Sequence, residues 1–276
     1  MARVIVITSG KGGVGKTTIC AYLGMELAKN NKRVCLLDMD IGLNNLDVVL
    51  GIENCVLYNM MDVIEGKCRL RQALVEHDTY PLLFVLSSGT ALRNLSIKNQ
   101  AIQVIINELK SQFDYVLIDC PAGIDIGFNR AVCCAEEALV VTTPHLSALR
   151  DADKVATILH SFNLSSIRFV VNRCRGDLIK DKLMLDVYDI SKALKLEFAG
   201  VVPEDDSITL ASNFSKVKID YNFACFRAMA VLCENIETGS KKLFDCTHKY
   251  KGFLGSVRKL LKRKVWYEEK GNICVG

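Results

Sequence analysis

Continuous apolar runs and segments with helical periodicity alternate along this chain. Seven apolar runs are candidate strands, at residues 3–8, 33–38, 82–86, 114–119, 138–142, 166–171 and 198–202. Between them, apolar residues at helical spacing predict helices at about 17–30, 97–111, 126–134, 147–161, 182–194 and 221–236. Uninterrupted apolar runs are typical of strands that are buried on both faces. The alternation therefore predicts an α/β fold with a doubly wound, mainly parallel sheet.

Composition narrows the class of protein. The chain has 276 residues, 50% of them hydrophobic, which suffices for one large α/β domain or two small ones. Its early apolar run ends at Thr8, and no apolar stretch has the length of a spanning helix or a secretory signal. The 12 cysteines include no C-x-x-C pair, so we expect reduced, mostly buried thiols and neither zinc nor an iron–sulfur cluster. We therefore expect a cytoplasmic protein.

Positive charge is concentrated at the carboxyl end of the chain. The whole chain carries +4, but residues 249–276 alone carry +6, which leaves the preceding 248 residues at −2. A basic tail on a slightly acidic body indicates an anionic partner, either nucleic acid or a membrane surface. We accordingly expect a globular domain at residues 1–247 and a separate tail at residues 248–276.

A glycine-rich turn follows the first predicted strand and precedes the first predicted helix. Residues 10–18 read GKGGVGKTT, which is the sequence and the context of a phosphate-binding P-loop. Glycines let backbone N–H groups converge on a phosphate, and the positive end of the helix dipole adds to them. The residues expected to bind a nucleoside triphosphate are Gly12, Gly13, Val14, Gly15, Lys16, Thr17 and Thr18. Catalytic Lys16 would reach the outer phosphates, and the Thr17 hydroxyl would ligate Mg²⁺.

A second lysine, Lys11, directly follows the first glycine of this loop. The string KGGVGKTT resembles the deviant P-loop of the superfamily that contains ParA, MinD and the nitrogenase iron protein. The resemblance implies that Lys11 crosses a dimer interface and binds the phosphates held by the partner subunit. Its catalytic role would then be like that of an arginine finger.

Two predicted strands end in acidic residues. The second strand ends in Asp38 and is followed closely by Asp40, and the strand at 114–119 ends in Asp119. Unpaired buried carboxylates are costly, so a chemical role is favoured, although an acid can also begin a turn. Resemblance to the D-x-D and Walker B segments of the superfamily implies that Asp38 and Asp119 support Mg²⁺ and that Asp40 activates the attacking water. It also implies that Gly123 offers its N–H to the γ-phosphate.

Polar residues and a proline also follow two later strands. Asn172 lies just after the strand at 166–171, and Pro203 and Asp205 follow the strand at 198–202. By resemblance these residues frame adenine, whose Watson–Crick edge suits the donor and acceptor of an Asn amide. A helix cap is the alternative role for Asn172. The sequence lacks the N-K-x-D motif of GTP-binding families, so ATP is the expected nucleotide, with Mg²⁺ as its cofactor.

The basic tail contains a segment with one apolar face. On a helix at about 250–265, the apolar face consists of Phe253, Leu254, Val257, Leu260 and Leu261, and the basic flanks include Arg258, Lys259 and Lys262. Such a segment is typical of a helix that lies in an anionic membrane surface. A helix docked on the domain and a nucleic-acid-binding arm are the alternatives. The cohesive apolar face argues against nucleic acid.

Five segments together resemble the MinD family of septum site-determining ATPases. They are the P-loop, the D-x-D segment, the D-x-P-A-G segment, the sequence RDAD at 150–153 and the tail. The resemblance implies an ATP-dependent homodimer that binds anionic lipid on the cytoplasmic face of the membrane and returns to the cytoplasm. It also implies a MinC-like division inhibitor and a MinE-like activator as partners, with Asp151 and Asp153 in the partner-binding surface.

Two other members of the superfamily fit part of this pattern. A ParA-like partitioning ATPase would share the P-loop but would bind DNA through a basic body, whereas this body is slightly acidic. A flagellar-placement ATPase similar to FlhG would share the tail but usually carries an extension before its P-loop. Binding to vesicles or to DNA distinguishes the first alternative.

Overall fold

The structure is a computed structural model that describes residues 2–41, 45–89, 99–205, 208 and 221–252. Its strands are β1 (Arg3–Thr8), β2 (Val34–Asp38), β3 (Leu74–His77), β4 (Tyr80–Leu86), β5 (Tyr115–Asp119), β6 (Glu137–Thr142), β7 (Ser166–Cys174) and β8 (Glu197–Pro203). Its helices are α1 (Lys16–Lys29), α2 (Asn45–Leu50), α3 (Met60–Ile64), α4 (Leu70–Ala73), α5 (Asn99–Lys110), α6 (Ile126–Cys133), α7 (Leu146–Leu159), α8 (Gly176–Lys180), α9 (Val187–Leu194) and α10 (Ala224–Thr238). A 3₁₀ helix follows at His248–Tyr250.

The strands form one sheet in the order β3-β4-β2-β5-β1-β6-β7-β8. Every neighbouring pair is parallel except β3 and β4, which are antiparallel. Parallel neighbours require long crossovers, and these place helices on both faces of the sheet. The predicted doubly wound, mainly parallel α/β fold is confirmed.

Alternate side chains of the central strands enter two separate cores. In β1, Val4 and Val6 face one core while Ile5 and Ile7 face the other, and each is at most 1% exposed. Helices α5, α6, α7 and α9 cover the first face, and α1, α2 and α10 cover the second. Because both faces are buried, the strands need no polar side, which explains their uninterrupted apolar sequences.

Sequence prediction was incomplete for the short elements. β3 and the helices α2, α3, α4 and α8 have four to six residues each, and the apolar pattern predicted none of them. β3 is an edge strand whose residues are mostly half-buried or exposed, so it lacks the apolar run of a central strand. The helix expected at 182–194 begins only at Val187, where the Asp186 carboxylate accepts hydrogen bonds from the N–H groups of Tyr188 and Asp189.

The start of the basic tail is held against the domain. Lys180 donates a hydrogen bond to the carbonyl oxygen of Tyr250 at 2.7 Å. Gly176 packs so closely that a Cβ there would lie 1.9 Å from the carbonyl oxygen of Cys246. The predicted membrane residues Phe253, Leu254, Val257, Arg258, Lys259, Leu260, Leu261 and Lys262 lie outside the described residues. Among the helices that are described, none has the length and apolar character needed to span a bilayer.

The loop after β1 contacts helix α7 through backbone atoms. A Cβ on Gly10 would lie 2.2 Å from the backbone oxygen of Asp151 and 2.4 Å from its carbonyl carbon. A flexible side chain could move away from such a Cβ, but a helix backbone cannot do so without shifting the helix. The position of α7 therefore restricts residue 10 to glycine.

Alanine at position 10 should destabilise the protein even without nucleotide, because the loop or α7 must shift to make room. For Gly10→Ala we expect a loss of about 1–3 kcal/mol in the free energy of unfolding, measured by urea denaturation. Gly12→Ala is the matched control, since a Cβ at Gly12 meets no atom within 4 Å. Equal stability of the two variants would contradict the close contact between the loop and α7.

Candidate nucleotide-binding site

The glycine-rich turn forms a loop between β1 and the start of α1. Gly13 and Gly15 have φ angles of 77° and 90°, a left-handed conformation that a side chain would strain. Helix α1 begins at Lys16, so the N–H groups of its first turn are left without partners inside the helix. A tight loop that leads into free N–H groups has the geometry of an anion-binding site.

A cavity of about 470 Å³ opens beside this loop. It is lined by Ser9, Lys11, Gly12, Gly13, Gly15, Lys16, Thr17, Thr18, Asp40, Asn45, Val48, Val49, Ala122 and Arg173. The cavity brings most of the predicted phosphate-binding residues together with the predicted catalytic Asp40. Sequence reasoning assigned no role to the other lining residues, Ser9, Asn45, Val48, Val49, Ala122 and Arg173. Asn45, Val48 and Val49 come from α2, a helix too short to show a periodic pattern.

The central interaction of the site is an ion pair between Lys16 and Asp119. The Lys16 ammonium donates a hydrogen bond to Asp119 Oδ1 at 2.7 Å, and the two side chains are 8% and 1% exposed. Burial alone would lower the pKa of Lys16, but attraction to Asp119 and the hydrogen bond outweigh it and raise that pKa. Burial raises the pKa of Asp119, while the Lys16 ammonium and the Thr17 hydroxyl act to lower it. A phosphate chain in the loop would give Lys16 an alternative counter-ion.

Asp38 lies beside Asp119 and has the chemistry of a cation ligand. The two residues are paired neighbours at the ends of β2 and β5, and both are fully buried. Within the described part of the chain, the Oδ2 atom of each carboxylate has no hydrogen-bond partner. Burial and repulsion from Asp119 raise the pKa of Asp38 to about 7. Buried oxygens with excess negative charge fit a hard divalent cation, so Asp38, Asp119 and Thr17 could hold Mg²⁺.

Asp40 and Asp47 extend this acidic end of the sheet. The Asp40 N–H donates to Asp38 Oδ1 at 2.8 Å, while the Asp40 side chain lines the cavity and is half-buried. Asp47 of α2 was not predicted; it is 4% exposed and accepts a hydrogen bond from Ser87 Oγ at 2.7 Å. Because Ser87 directly follows β4, this bond ties α2 to the sheet beside the paired carboxylates.

Asn172 supports the phosphate loop in this structure. Its Nδ2 donates to the carbonyl oxygen of Val14 at 2.8 Å, and its Oδ1 accepts the N–H of Arg173 at 2.9 Å. A Cβ on Gly15 would lie 2.3 Å from the same Nδ2. Both polar atoms of Asn172 are therefore engaged by the protein, and the proposed adenine contact requires the amide to exchange a partner. Asn172 does not cap a described helix.

The remaining predicted nucleotide residues, Pro203, Asp205 and Gly123, do not line this cavity. Asp205 accepts a hydrogen bond from the N–H of Cys225 at 3.3 Å, at the start of α10, and Pro203 ends β8. Gly123 has a φ of 94°, and its N–H donates to the carbonyl oxygen of Ser9 at 3.2 Å. The γ-phosphate contact predicted for Gly123 would require that bond to open. These roles stay predictions.

Lys11 differs from Lys16 in its surroundings. It is exposed, and its ammonium has no hydrogen-bond or ion-pair partner among the residues that the structure describes. Its backbone oxygen accepts the Ser9 hydroxyl at 3.1 Å, which fixes the loop while the side chain stays free. The ammonium is thus available to a phosphate group.

A mainly parallel sheet with a phosphate loop after β1 and paired acids on neighbouring strands defines a P-loop nucleoside triphosphatase. Comparison with known proteins identifies the family within this class. A family described as an AAA domain matches residues 2–169. The septum site-determining protein MinD of Bacillus subtilis (strain 168) is 47% identical over 215 residues, which cover 77% of this chain and 80% of that protein.

Solved structures agree with this match. The MinC:MinD cell division protein complex of Aquifex aeolicus superposes with a TM-score of 0.82 and 38% identity, over 88% of this chain and 98% of that one. MinD of Pyrococcus horikoshii OT3, solved with Mg-ADP, gives a TM-score of 0.77 and 29% identity, over 86% and 97%. The chain belongs to the MinD family of septum site-determining proteins, and it is an ATPase.

Asparagine in place of Asp38 should stabilise the nucleotide-free protein, because it removes a buried negative charge beside Asp119 and keeps the acceptor for the Asp40 N–H. At pH 8, above the raised pKa of Asp38, we expect a gain on the order of 2 kcal/mol in the free energy of unfolding. The variant should also lose most of the extra thermal stabilisation that Mg²⁺ adds to ADP. Asp78→Asn, at an exposed acid, is the control. A less stable nucleotide-free Asp38→Asn protein would contradict this account of the carboxylate pair.

Proposed function

We propose that this chain is a nucleotide-operated membrane switch of the division-site placement system. ATP binding drives dimerisation and attachment to an anionic membrane, and hydrolysis returns the protein to the cytoplasm. The membrane-bound form carries a MinC-like inhibitor that blocks septation at wrong sites. The observation that carries the proposal is a phosphate site with one engaged and one free lysine, in a family member whose tail has a basic amphipathic pattern.

The site residues divide the hydrolysis reaction between them. Lys16 leaves Asp119 for the outer phosphates, and Asp38, Asp119 and Thr17 hold Mg²⁺, which neutralises charge on the phosphate oxygens when bound. Asp40, half-buried in the cavity wall, orients the attacking water. The MinD of Pyrococcus horikoshii was solved with Mg-ADP, which supports a nucleotide and Mg²⁺ as the groups bound here. ATP with Mg²⁺ is therefore the proposed substrate complex.

Lys11 links hydrolysis to dimerisation. Its ammonium is exposed and has no partner among the described residues, whereas Lys16 is paired with Asp119. We assign it to the phosphates of the partner subunit, where it adds positive charge as the transition state develops negative charge. The site is then complete only in the dimer.

The tail converts dimerisation into membrane attachment. Each basic side chain near an anionic surface contributes about 1 kcal/mol, and less as the charges crowd together and salt screens them. Ordering the tail offsets part of this gain, so one tail binds weakly and reversibly. Two tails on one dimer raise the apparent affinity by roughly 10²–10⁴ through effective concentration. The hydrogen bond from Lys180 to Tyr250 holds the start of the tail on the domain and supports a fixed exit point for it.

Helix α7 is the proposed surface for the inhibitor and for a MinE-like activator. Asp153 is exposed, and Asp151 is half-buried with its carboxylate 3.3 Å from the Lys154 ammonium. Both lie beyond the first turn of α7, which begins at Leu146, so neither acts as a helix cap. The MinD of Aquifex aeolicus was solved in complex with MinC, which supports an inhibitor of that kind as a partner.

Loss of each lysine should have a different effect. Lys16→Ala should abolish ADP binding and, because it leaves Asp119 buried without its partner, should also lower stability by about 3–5 kcal/mol. Lys11→Ala should bind ADP within about twofold of the parent protein, because its ammonium is assigned to the phosphates of the partner subunit, yet hydrolyse ATP at least 10²-fold more slowly. Calorimetry and a phosphate-release assay measure the two quantities. Normal hydrolysis by Lys11→Ala would remove the proposed cross-dimer role.

Membrane binding should require ATP, anionic lipid and the apolar face of the tail. We expect the full chain to sediment with phosphatidylglycerol vesicles in ATP but not in ADP, and not with phosphatidylcholine vesicles or with DNA. The double variant Leu260→Gln, Leu261→Gln should stay in the supernatant while dimerising normally in ATP. Ile273→Gln with Val275→Gln is the matched control in the same tail. Sedimentation with DNA instead of vesicles would point to the partitioning ATPases.

A further inference from the structure

Arg173 has an unusual backbone conformation for its place in the fold. Four described non-glycine residues have a positive φ: Asn31, Arg173, Lys182 and Lys195. Asn31, Lys182 and Lys195 lie just after helices, where a left-handed residue commonly ends the helix. Arg173, with a φ of 57°, lies inside the last part of β7 instead. A left-handed residue with a Cβ in a strand is strained, and such strain persists only where the surroundings impose it.

The surroundings that impose this conformation belong to the phosphate loop. The side chain of Asn172 binds the Val14 carbonyl on one side and the Arg173 N–H on the other. The register of β7 against β8 shifts between Val171 and Cys174, so the strand bulges at this point. Asn172 and Cys174 are 5% and 4% exposed, whereas Arg173 between them is turned outward and exposed. The bulge therefore turns Arg173 away from the core, and the hydrogen bond from Asn172 to Val14 connects the backbone at this position to the phosphate loop.

The Arg173 side chain lines the nucleotide cavity and has no protein partner there. It shares the cavity wall with Lys11, Lys16 and Asp40. Its guanidinium makes no ion pair or hydrogen bond with the residues that the structure describes. Arg175, two residues further on, provides the contrast, because its guanidinium is paired with Asp177 at 2.6 Å. An exposed and unpaired arginine in the wall of a phosphate-binding cavity is available to the ligand.

We propose that the Arg173 guanidinium binds the phosphate chain of the nucleotide in its own subunit. Asn172 ties it to Val14 and Gly15, and the backbone of a P-loop cradles the α- and β-phosphates that ADP and ATP share. The planar guanidinium suits two-point contact with phosphate oxygens. Arg173 therefore contributes to binding of both nucleotides in the monomer, whereas Lys11 acts on the partner subunit. This proposal rests on nucleotide binding by the protein and does not depend on its proposed attachment to a membrane.

The affinity of the full-length protein for ADP, measured by calorimetry with Mg²⁺, tests this assignment. Arg173→Ala should weaken binding about tenfold, which is the effect of losing one charge-assisted contact. Arg173→Gly should weaken it by the same factor, although glycine adopts the left-handed backbone without strain. Arg173→Lys should fall between these variants and the parent. The loss should shrink as salt is raised, because screening weakens charge contacts.

Lys195→Gly is the matched control, since Lys195 has the same charge and a φ of 53° but ends α9 and does not line the cavity. Its ADP affinity should equal that of the parent. Parent-like affinity in both Arg173→Ala and Arg173→Gly would overturn the proposal. Recovery of affinity in Arg173→Gly alone would assign the effect to the backbone rather than to the guanidinium. Measurements with GDP distinguish a contact to phosphate from a contact to the base. Loss of a phosphate contact should weaken the binding of ADP and of GDP by the same factor, and a loss confined to ADP would also overturn the proposal.

Discussion

The buried ion pair between Lys16 and Asp119 is the constraint around which this end of the sheet is organised. A buried charge is tolerated only with a partner, and here the lysine begins a helix while the carboxylate ends the neighbouring strand β5. Asp38 adds a second carboxylate in the same register without a second cation. The protein alone therefore balances one of two adjacent negative charges. A phosphate chain with a divalent cation supplies the charges that the protein leaves unmatched, so ligand binding also completes the electrostatics of the fold. Any nucleotide complex then stabilises the native state in proportion to the logarithm of ligand concentration.

The groups around this pair act as braces rather than as ligands in the described structure. Asn172 holds the loop through Val14, the Gly123 N–H holds Ser9, and Ser87 holds Asp47 of α2. Each brace is a hydrogen bond between elements that are distant in sequence and meet only at the carboxyl ends of the strands. The site is therefore assembled by the tertiary fold. Residues expected to touch nucleotide directly also position the loop that touches it.

The sequence predicts the central architecture because buried parallel strands are written as uninterrupted apolar runs, as in Tyr115–Asp119. It predicts the loop because only glycine adopts the φ angles of Gly13 and Gly15 without strain. It fails for β3 and α2, which are short and partly exposed, so neither periodicity nor length identifies them. Arg173 was missed for a different reason. An arginine after an apolar strand resembles any solvated charge, and its orientation depends on a bulge set by hydrogen bonds from a remote loop. The partner of Asn172 is equally invisible in the sequence, although the polar residue itself is not.

The contact between Gly10 and the backbone of Asp151 makes the phosphate loop and helix α7 one mechanical part. A side chain between two elements can rotate and thereby absorb a small displacement of either one. Gly10 has no side chain to do this, so a displacement of α7 is transmitted directly to the loop. The outer surface of α7 faces solvent at Asp153, and its inner surface contacts the phosphate loop. A protein that binds the outer surface of α7 and shifts this helix therefore also shifts the loop that holds the phosphates.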